Sequence, residues 1–383
     1  MRDVSIIGIG QTAVAEHWDR SIRDLAVEAA LKARQDAGVE RVDALYVGNM
    51  LSGELNGQEN LAPLVADAAG LPPIEAIKIE AACASGGAAV RAAALAVSSG
   101  AHDYVLAVGV EKMTDLLTDG VTSALAMAAD ADYEAGHGVS FVALNAMLMR
   151  RYMHDFKAKH EEFAPFTVNS HRNAARNPYA MYRQPVTVED FLDSPIVSDP
   201  INILDSAGIC DGAAAVLLAP AAEARRSRRP PVRIAASACA TDTVGLAERA
   251  DPLVWQAVAD SARLAYRQAK VQPKDVDLFE VHDAFTIVSV LTLEASGFAD
   301  RGSALKLAAE GRIALEGDIP ICTLGGLKGR GHPVGASGTY QIVEVVQQLR
   351  GEAGAAQVKG AKIGMAQSVG GSGSVAVTHI LQV

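Results

Sequence analysis

The sequence is short of three things, and each shortage excludes a class of protein. Cysteine is scarce: Cys83, Cys210, Cys239 and Cys322 are the only four in 383 residues, far apart and without a CxxC pair. Neither a disulfide framework nor a structural zinc site is therefore expected. Positive charge is outweighed, with 34 Lys and Arg against 45 Asp and Glu and a formal net charge of −11. Nucleic acid and anionic membranes need clustered positive potential, so this balance argues against both as partners. Long apolar runs are missing too. No segment approaches the roughly 18 apolar residues that a membrane span needs, and the opening Met1-Arg2-Asp3-Val4 has no basic stretch leading into an apolar one. The expectation is a cytoplasmic protein with a solvated surface.

What is present is a large apolar content, 50% of residues, enough for two domains or for a duplicated domain with an insertion. Three matches in the same order point to duplication. Leu25 to Asn49 and Ala257 to Asp283 both read as amphipathic helix, turn and short buried strand. They align through Leu31 with Leu264, Arg34-Gln35 with Arg267-Gln268 and, after one inserted residue, Val42-Asp43 with Val276-Asp277. Ala84-Ser85-Gly86 corresponds to Ala336-Ser337-Gly338, each opening a helix. Asp211 to Ala219 and Gly370 to Ile380 both read as Gly-entered strands of small and β-branched residues.

Alternating strand and helix patterns imply an α/β fold with parallel-type sheets packed between helices. The halves are expected at 1–225 and 226–383. They are joined by a linker, Ala221 to Arg233, that carries Arg225, Arg226, Arg228 and Arg229 before Pro230-Pro231 and Arg233 after. The stretch from about 112 to 200 has no counterpart in the second half and reads as an inserted loop domain able to cap a site. It carries a Met-rich helix, Phe141 to Phe156, which with His137 is expected to serve packing.

Cys83 falls where a strand containing Ile77 and Ile79 turns into a helix over Gly86 to Ser98. The positive end of that helix would stabilise a thiolate, and the Gly86-Gly87 pair would let a substrate approach the backbone. The plain alternative is a small buried hydrophobe. Gly325 to Tyr340, GGLKGRGHPVGASGTY, holds six glycines around His332 and suits a shaped loop rather than a helix or strand. Pro333 restricts the backbone at His332, which helps an imidazole that must take a proton from a thiol at fixed distance. It is not a P-loop, because no Gly-Lys-Ser/Thr ending follows. His282 lies beyond the apolar strand VDLFEV, at the end where open α/β sheets place ligands; alternatively, Asp283 marks a simple helix cap. His171-Arg172-Asn173 with Arg176, and the linker arginines, could meet phosphates but read more simply as a solvated face.

Together these segments resemble the thiolase family over essentially the whole chain, including the closing QSVGGSGSVAV. HDAF, in place of the NEAF of biosynthetic and degradative members, looks like the archaeal and sterol-carrier-protein-related branch. The resemblance implies a duplicated five-layer αβαβα fold with an inserted loop domain. It also implies an acyl-CoA C-acyltransferase that forms or cleaves 3-ketoacyl-CoA such as acetoacetyl-CoA. Carried over by position, it makes Cys83 the nucleophile, His332 its base and His282 a donor to the thioester enolate, with the backbone amides of Cys83 and Gly370 as an oxyanion hole. No metal and no tightly bound cofactor are implied; coenzyme A and acetyl-CoA are substrates. A homodimer or a tetramer is implied, as is association with a 3-hydroxy-3-methylglutaryl-CoA synthase and a small OB-fold protein. The family places a second cysteine where this sequence has Ser368 or, in the sterol-carrier-related branch, Ala284. Cys322 is a candidate for the missing thiol, against a buried core cysteine as the alternative. Other readings on the same fold are aldol-type cleavage, acyl transfer to a non-CoA acceptor, and a non-catalytic CoA-binding partner in a complex.

Overall fold

The computed structural model describes residues 2–383. Its strands are β1 (Val4–Gln11), β2 (Ala44–Gly48), β3 (Glu75–Ile79), β4 (Val105–Glu111), β5 (Ile196–Ser198), β6 (Ile201–Asn202), β7 (Gly212–Pro220), β8 (Val232–Thr241), β9 (Leu278–Glu280), β10 (Ile363–Gly370) and β11 (Val375–Gln382). Nine of them run in the order β3-β2-β4-β7-β1-β8-β11-β10-β9, and β5 and β6 form a separate hairpin. Outward from the middle, β1-β7-β4-β2 in the first half is repeated by β8-β11-β10-β9 in the second. Where β3 would recur, Ile321 makes a single parallel bridge to Phe279. The halves meet edge to edge only at Ser5–Arg233 and Ile6–Val232, so each half-sheet keeps its own two faces.

Helices fill those faces as five layers. The helix Ile22–Ala37 covers the outer face of the first half-sheet, and the helix Gln256–Ala269 covers that of the second. The first shows why such a segment folds locally. Ser21 caps it in a reciprocal box with Asp24, Ile22, Leu25, Ala26, Ala29, Ala33 and Ala37 form one buried stripe, and Gly38 closes it in the left-handed conformation. Between the half-sheets lie the helices Ser85–Ser99 and Ser337–Arg350. The second is buried on nearly every side, polar Gln341, Glu344 and Gln348 included, as a helix in a central layer must be.

The Gly86-Gly87 pair serves this central packing rather than substrate approach. A Cβ on Gly86 would lie 2.7 Å from Thr339 Oγ1, and one on Gly87 would lie 2.2 Å from Ser368 Oγ. A Cβ on Gly338 would likewise lie 2.4 Å from the Gly87 backbone nitrogen. Small residues thus let the two helix starts cross at backbone distance, and the crossing brings Cys83 and His332 to one place.

Other readings are corrected locally. Gly371 to Ser374 form a tight turn between β10 and β11 rather than the entry of a single strand. The Met-rich helix spans Phe141–Phe156 with Leu144, Leu148, Met149 and Tyr152 in the core, but His137 is exposed rather than part of that core. His171 and Asn173 are buried instead of solvated, with Asn173 donating to the Cys322 carbonyl; only Arg172 and Arg176 face outward. The linker arginines are exposed. No described helix is long and apolar enough to cross a membrane.

Candidate active site

The helix starts deliver two of the three expected side chains, and the end of β9 delivers the third. Cys83 follows Ala82, which is held at φ +50°, a conformation disfavoured for a residue with a Cβ. Ser85 stabilises this turn by accepting from the Ala81 N–H at 2.9 Å and donating to the Ala82 carbonyl at 2.6 Å. His282 comes two residues after β9, where Gln341 Nε2 donates to the Glu280 and Val281 carbonyls. His332 sits in the glycine-rich loop, whose Gly331 adopts φ +112°, a region open to glycine.

The Cys83 sulfur and one nitrogen each of His282 and His332 all lie within 4.8 Å of one another. The two rings meet edge to face, with centroids 5.2 Å apart. All three side chains open into a cavity of about 250 Å³. Its remaining wall is largely apolar and draws on the inserted stretch through Leu125, Phe141, Val142 and Val197, with Phe285, Val288 and Val369 from the second half. Thr118, Thr122, Asn145 and Ser206 add polar atoms.

Electrostatics departs from the sequence reading at Cys83. Burial pushes its thiol up to about 12, the nearby Glu111 carboxylate adds to the rise, and the N–H groups of Cys83 and Gly371 oppose it only in part. The helix begins at Ser85, two residues past the thiol, so its dipole acts on the sulfur less than burial does. Burial and the Arg330 charge hold His282 down to about 3. Burial, His282 and Arg330 hold His332 well below the ordinary imidazole range. At neutral pH the site therefore rests as a neutral thiol beside two neutral imidazoles.

Gly371 lines the cavity, while Gly370 closes β10 against the Ala81 carbonyl. Ser368 is buried between Gly87 and Gly338, outside the cavity wall. Ala284 does line the wall but has no group to titrate. Cys322 is fully buried, does not reach the cavity, and has its thiol pushed well above the ordinary range by burial and then by Asp283 and Glu280. This overturns Cys322 as the second thiol. Asp283 does not cap the helix Thr286–Ala295 that follows it: its carboxylate accepts from the Leu327 N–H at 2.5 Å and Ser170 Oγ at 3.0 Å, which ties the glycine-rich loop to the segment carrying His282. One sulfur and two imidazoles are also a donor set that zinc accepts. However, neither ring has the carboxylate or carbonyl partner that orients ligating imidazoles: His332 Nδ1 bonds Ser337 and His282 Nδ1 bonds nothing.

Three buried charges escaped sequence reasoning. Glu111, at the end of β4, accepts from Asn49 Nδ2, Leu51 N, Met50 N and, across the halves, Gly335 N at 2.9 Å. Arg330 stacks 4.6 Å over the Tyr340 ring and pairs with Glu344 at 2.9 Å. The signal in the sequence was a charge within an otherwise apolar or glycine-rich segment, which does not name its partner.

Comparison with known families shows which one the chain belongs to. The family described as "Thiolase, N-terminal domain" matches residues 4–222, and "Thiolase C-terminal domain-like" matches residues 238–383. The chain belongs to the thiolase family. An acetyl-CoA acetyltransferase of Methanothermobacter thermautotrophicus is 48% identical over 382 residues, covering 99% of each chain. One of Methanocaldococcus jannaschii is 41% identical, covering 100% of this chain and 99% of its own. Among solved structures, the Ltp2-ChsH2(DUF35) aldolase superposes with a TM-score of 0.87 at 25% identity, covering 100% of this thiolase and 98% of that chain. The duplicated five-layer fold read from the sequence is thus the fold of the family.

Proposed function

We propose that this thiolase is an acyl-CoA C-acyltransferase that forms or cleaves 3-ketoacyl-CoA, such as acetoacetyl-CoA, through an acyl-Cys83 intermediate. The observation that carries the reading is the meeting of Cys83, His282 and His332 within 4.8 Å at a cavity. In the cleavage direction the Cys83 S–H proton passes to neutral His332 as sulfur attacks the 3-keto carbon. The carbon–carbon bond then breaks, leaving its electron pair on the acetyl-CoA enolate beside His282. A second coenzyme A takes the acyl group from Cys83. For the tetrahedral oxyanion the resemblance implies the amides of Cys83 and Gly370. Gly371, which lines the cavity where Gly370 does not and whose N–H faces the Cys83 sulfur, is the better-placed partner of the Cys83 amide. One lost donor costs roughly 3 kcal/mol. With Ser368 outside the cavity and Ala284 inert, both proton transfers fall to the two imidazoles.

Incubation with acetyl-CoA followed by mass analysis tests this: one acetyl group is expected on Cys83, and none in Cys83→Ala, which loses thiolysis. The likeness to an aldolase keeps retro-aldol cleavage as a second reading, and a protein that cleaves without ever acylating Cys83 belongs there. Binding of acetyl-CoA with neither acylation nor cleavage marks a non-catalytic partner. We further propose that 1–225 and 226–383 act as the two halves, that the stretch at about 112–200 caps the cavity, and that the protein is a cytoplasmic homodimer or tetramer. An OB-fold partner finds support in the DUF35 chain named with the structural relative; a synthase partner rests on family resemblance alone.

A further inference from the structure

His332 can act as base only if its free nitrogen faces the thiol, and the duplicated half shows what fixes this. Ser85 and Ser337 occupy equivalent places at the starts of the two central helices. In the first half the donor is unambiguous. The Ala81 backbone N–H can only donate, so Ser85 Oγ accepts it at 2.9 Å and sends its own hydrogen to the Ala82 carbonyl at 2.6 Å. In the second half, Ser337 Oγ lies 2.7 Å from His332 Nδ1 and 3.1 Å from the Pro333 carbonyl. The carbonyl has no hydrogen to give, so the hydroxyl either donates to it, as Ser85 does, or donates to the ring.

We propose that Ser337 is a positioning residue: its hydroxyl donates to Pro333, accepts from Nδ1–H, and so holds His332 in the tautomer whose bare Nε2 is available to Cys83. The idea rests on the proposed acylation of Cys83. Once the thiol proton reaches Nε2 and its bonding pair stays on sulfur, the new imidazolium still has an acceptor for Nδ1–H, because the Ser337 hydrogen points away. Ser337 is fully buried, so no water competes for the ring. A reversed hydroxyl would place the hydrogen on Nε2 and leave the thiol without a base. His282 offers no substitute, since its Nδ1 is buried without a partner and nothing sets its tautomer. The duplication thus yields two copies of one device, which in the first half shapes the turn before the nucleophile and in the second half orients the base.

The tautomer is readable in the unliganded wild-type protein by long-range proton–nitrogen correlation on 15N-histidine-labelled material, with His332 assigned by its loss in His332→Asn. A protonated Nδ1 and bare Nε2 are expected; a protonated Nε2 overturns the proposal without any variant having to fold. Ser337→Ala is expected to mix the tautomers and slow Cys83 acetylation by about tenfold or more while acetyl-CoA binding holds, and Ser337→Thr to restore both. Acetylation at the wild-type rate in Ser337→Ala also overturns it. If wild-type Cys83 is never acetylated, the proposed function falls, while the tautomer reading is judged on its own spectrum.

Discussion

Cys83, the proposed nucleophile, is kept protonated in the resting protein first by burial and then by nearby negative charge, most of it from a residue far away in sequence. Glu111 arrives on β4, and its carboxylate raises the cost of a second negative charge nearby. With the thiol at about 12, the thiolate fraction grows about tenfold per pH unit throughout the range below that value. Alkylation of Cys83 by iodoacetamide, followed by peptide mass, should therefore be slow at pH 7 and climb without a plateau to pH 10. A plateau near neutrality would mean a resting thiolate. Burial raises the Glu111 carboxyl itself to about 7, so Glu111→Gln removes a neighbouring charge only above that pH, and there the profile should move toward lower pH because a thiolate then forms beside a neutral amide. Sequence reading placed the cysteine correctly at a helix entry but could not see this, since burial and a charge on a different strand set its acidity.

At the scale of elements, much was legible because periodicity and capping are local. The helix expected over Gly86 to Ser98 spans Ser85–Ser99, and the Met-rich helix has the expected ends. The match of Val42-Asp43 with Val276-Asp277 fell on turns that do lead into the equivalent strands β2 and β9. What escaped was the polar content of the central layer. Glu280 ends β9 in apolar surroundings, with Oε1 accepting from Thr323 N at 2.8 Å and Thr323 Oγ1 at 2.6 Å while Oε2 has no partner. Burial raises its carboxyl to about 7, above the ordinary carboxylate value. A group raised on folding gives stability that is complete below its unfolded pKa and is lost as pH rises through the folded one. Glu280→Gln keeps an acceptor for both Thr323 bonds and removes the ionisation. Its unfolding free energy should match or trail wild type at pH 4 and exceed it at pH 8 by on the order of 2 kcal/mol, read by denaturant titration at the two pH values. Equal pH profiles for the two proteins would show that Glu280 does not titrate in this window.

The whole molecule depends on its middle layer more than on the chain that links its halves. One core cluster joins Ala89, Val90 and Val97 of the first half to Ile342, Val343 and Val346 of the second. The fully buried guanidinium of Arg350 reaches back to Asp36 at 2.8 Å. Against this stands a linker whose Arg225 and Arg226 are exposed and lie just after the four-residue helix Ala221–Ala224. Limited trypsin should therefore cut here first. The cut removes one covalent bond but exposes none of the central helices, whose burial both halves share, so the fragments should co-elute at the uncut volume. Because Cys83 comes from one fragment and His282 and His332 from the other, thiolysis is the stricter readout: it should survive the cut, as the site needs the helix crossing rather than the linker. Fragments that separate without denaturant, or activity that falls in step with cleavage, would show that the linker and not the central layer holds the site together.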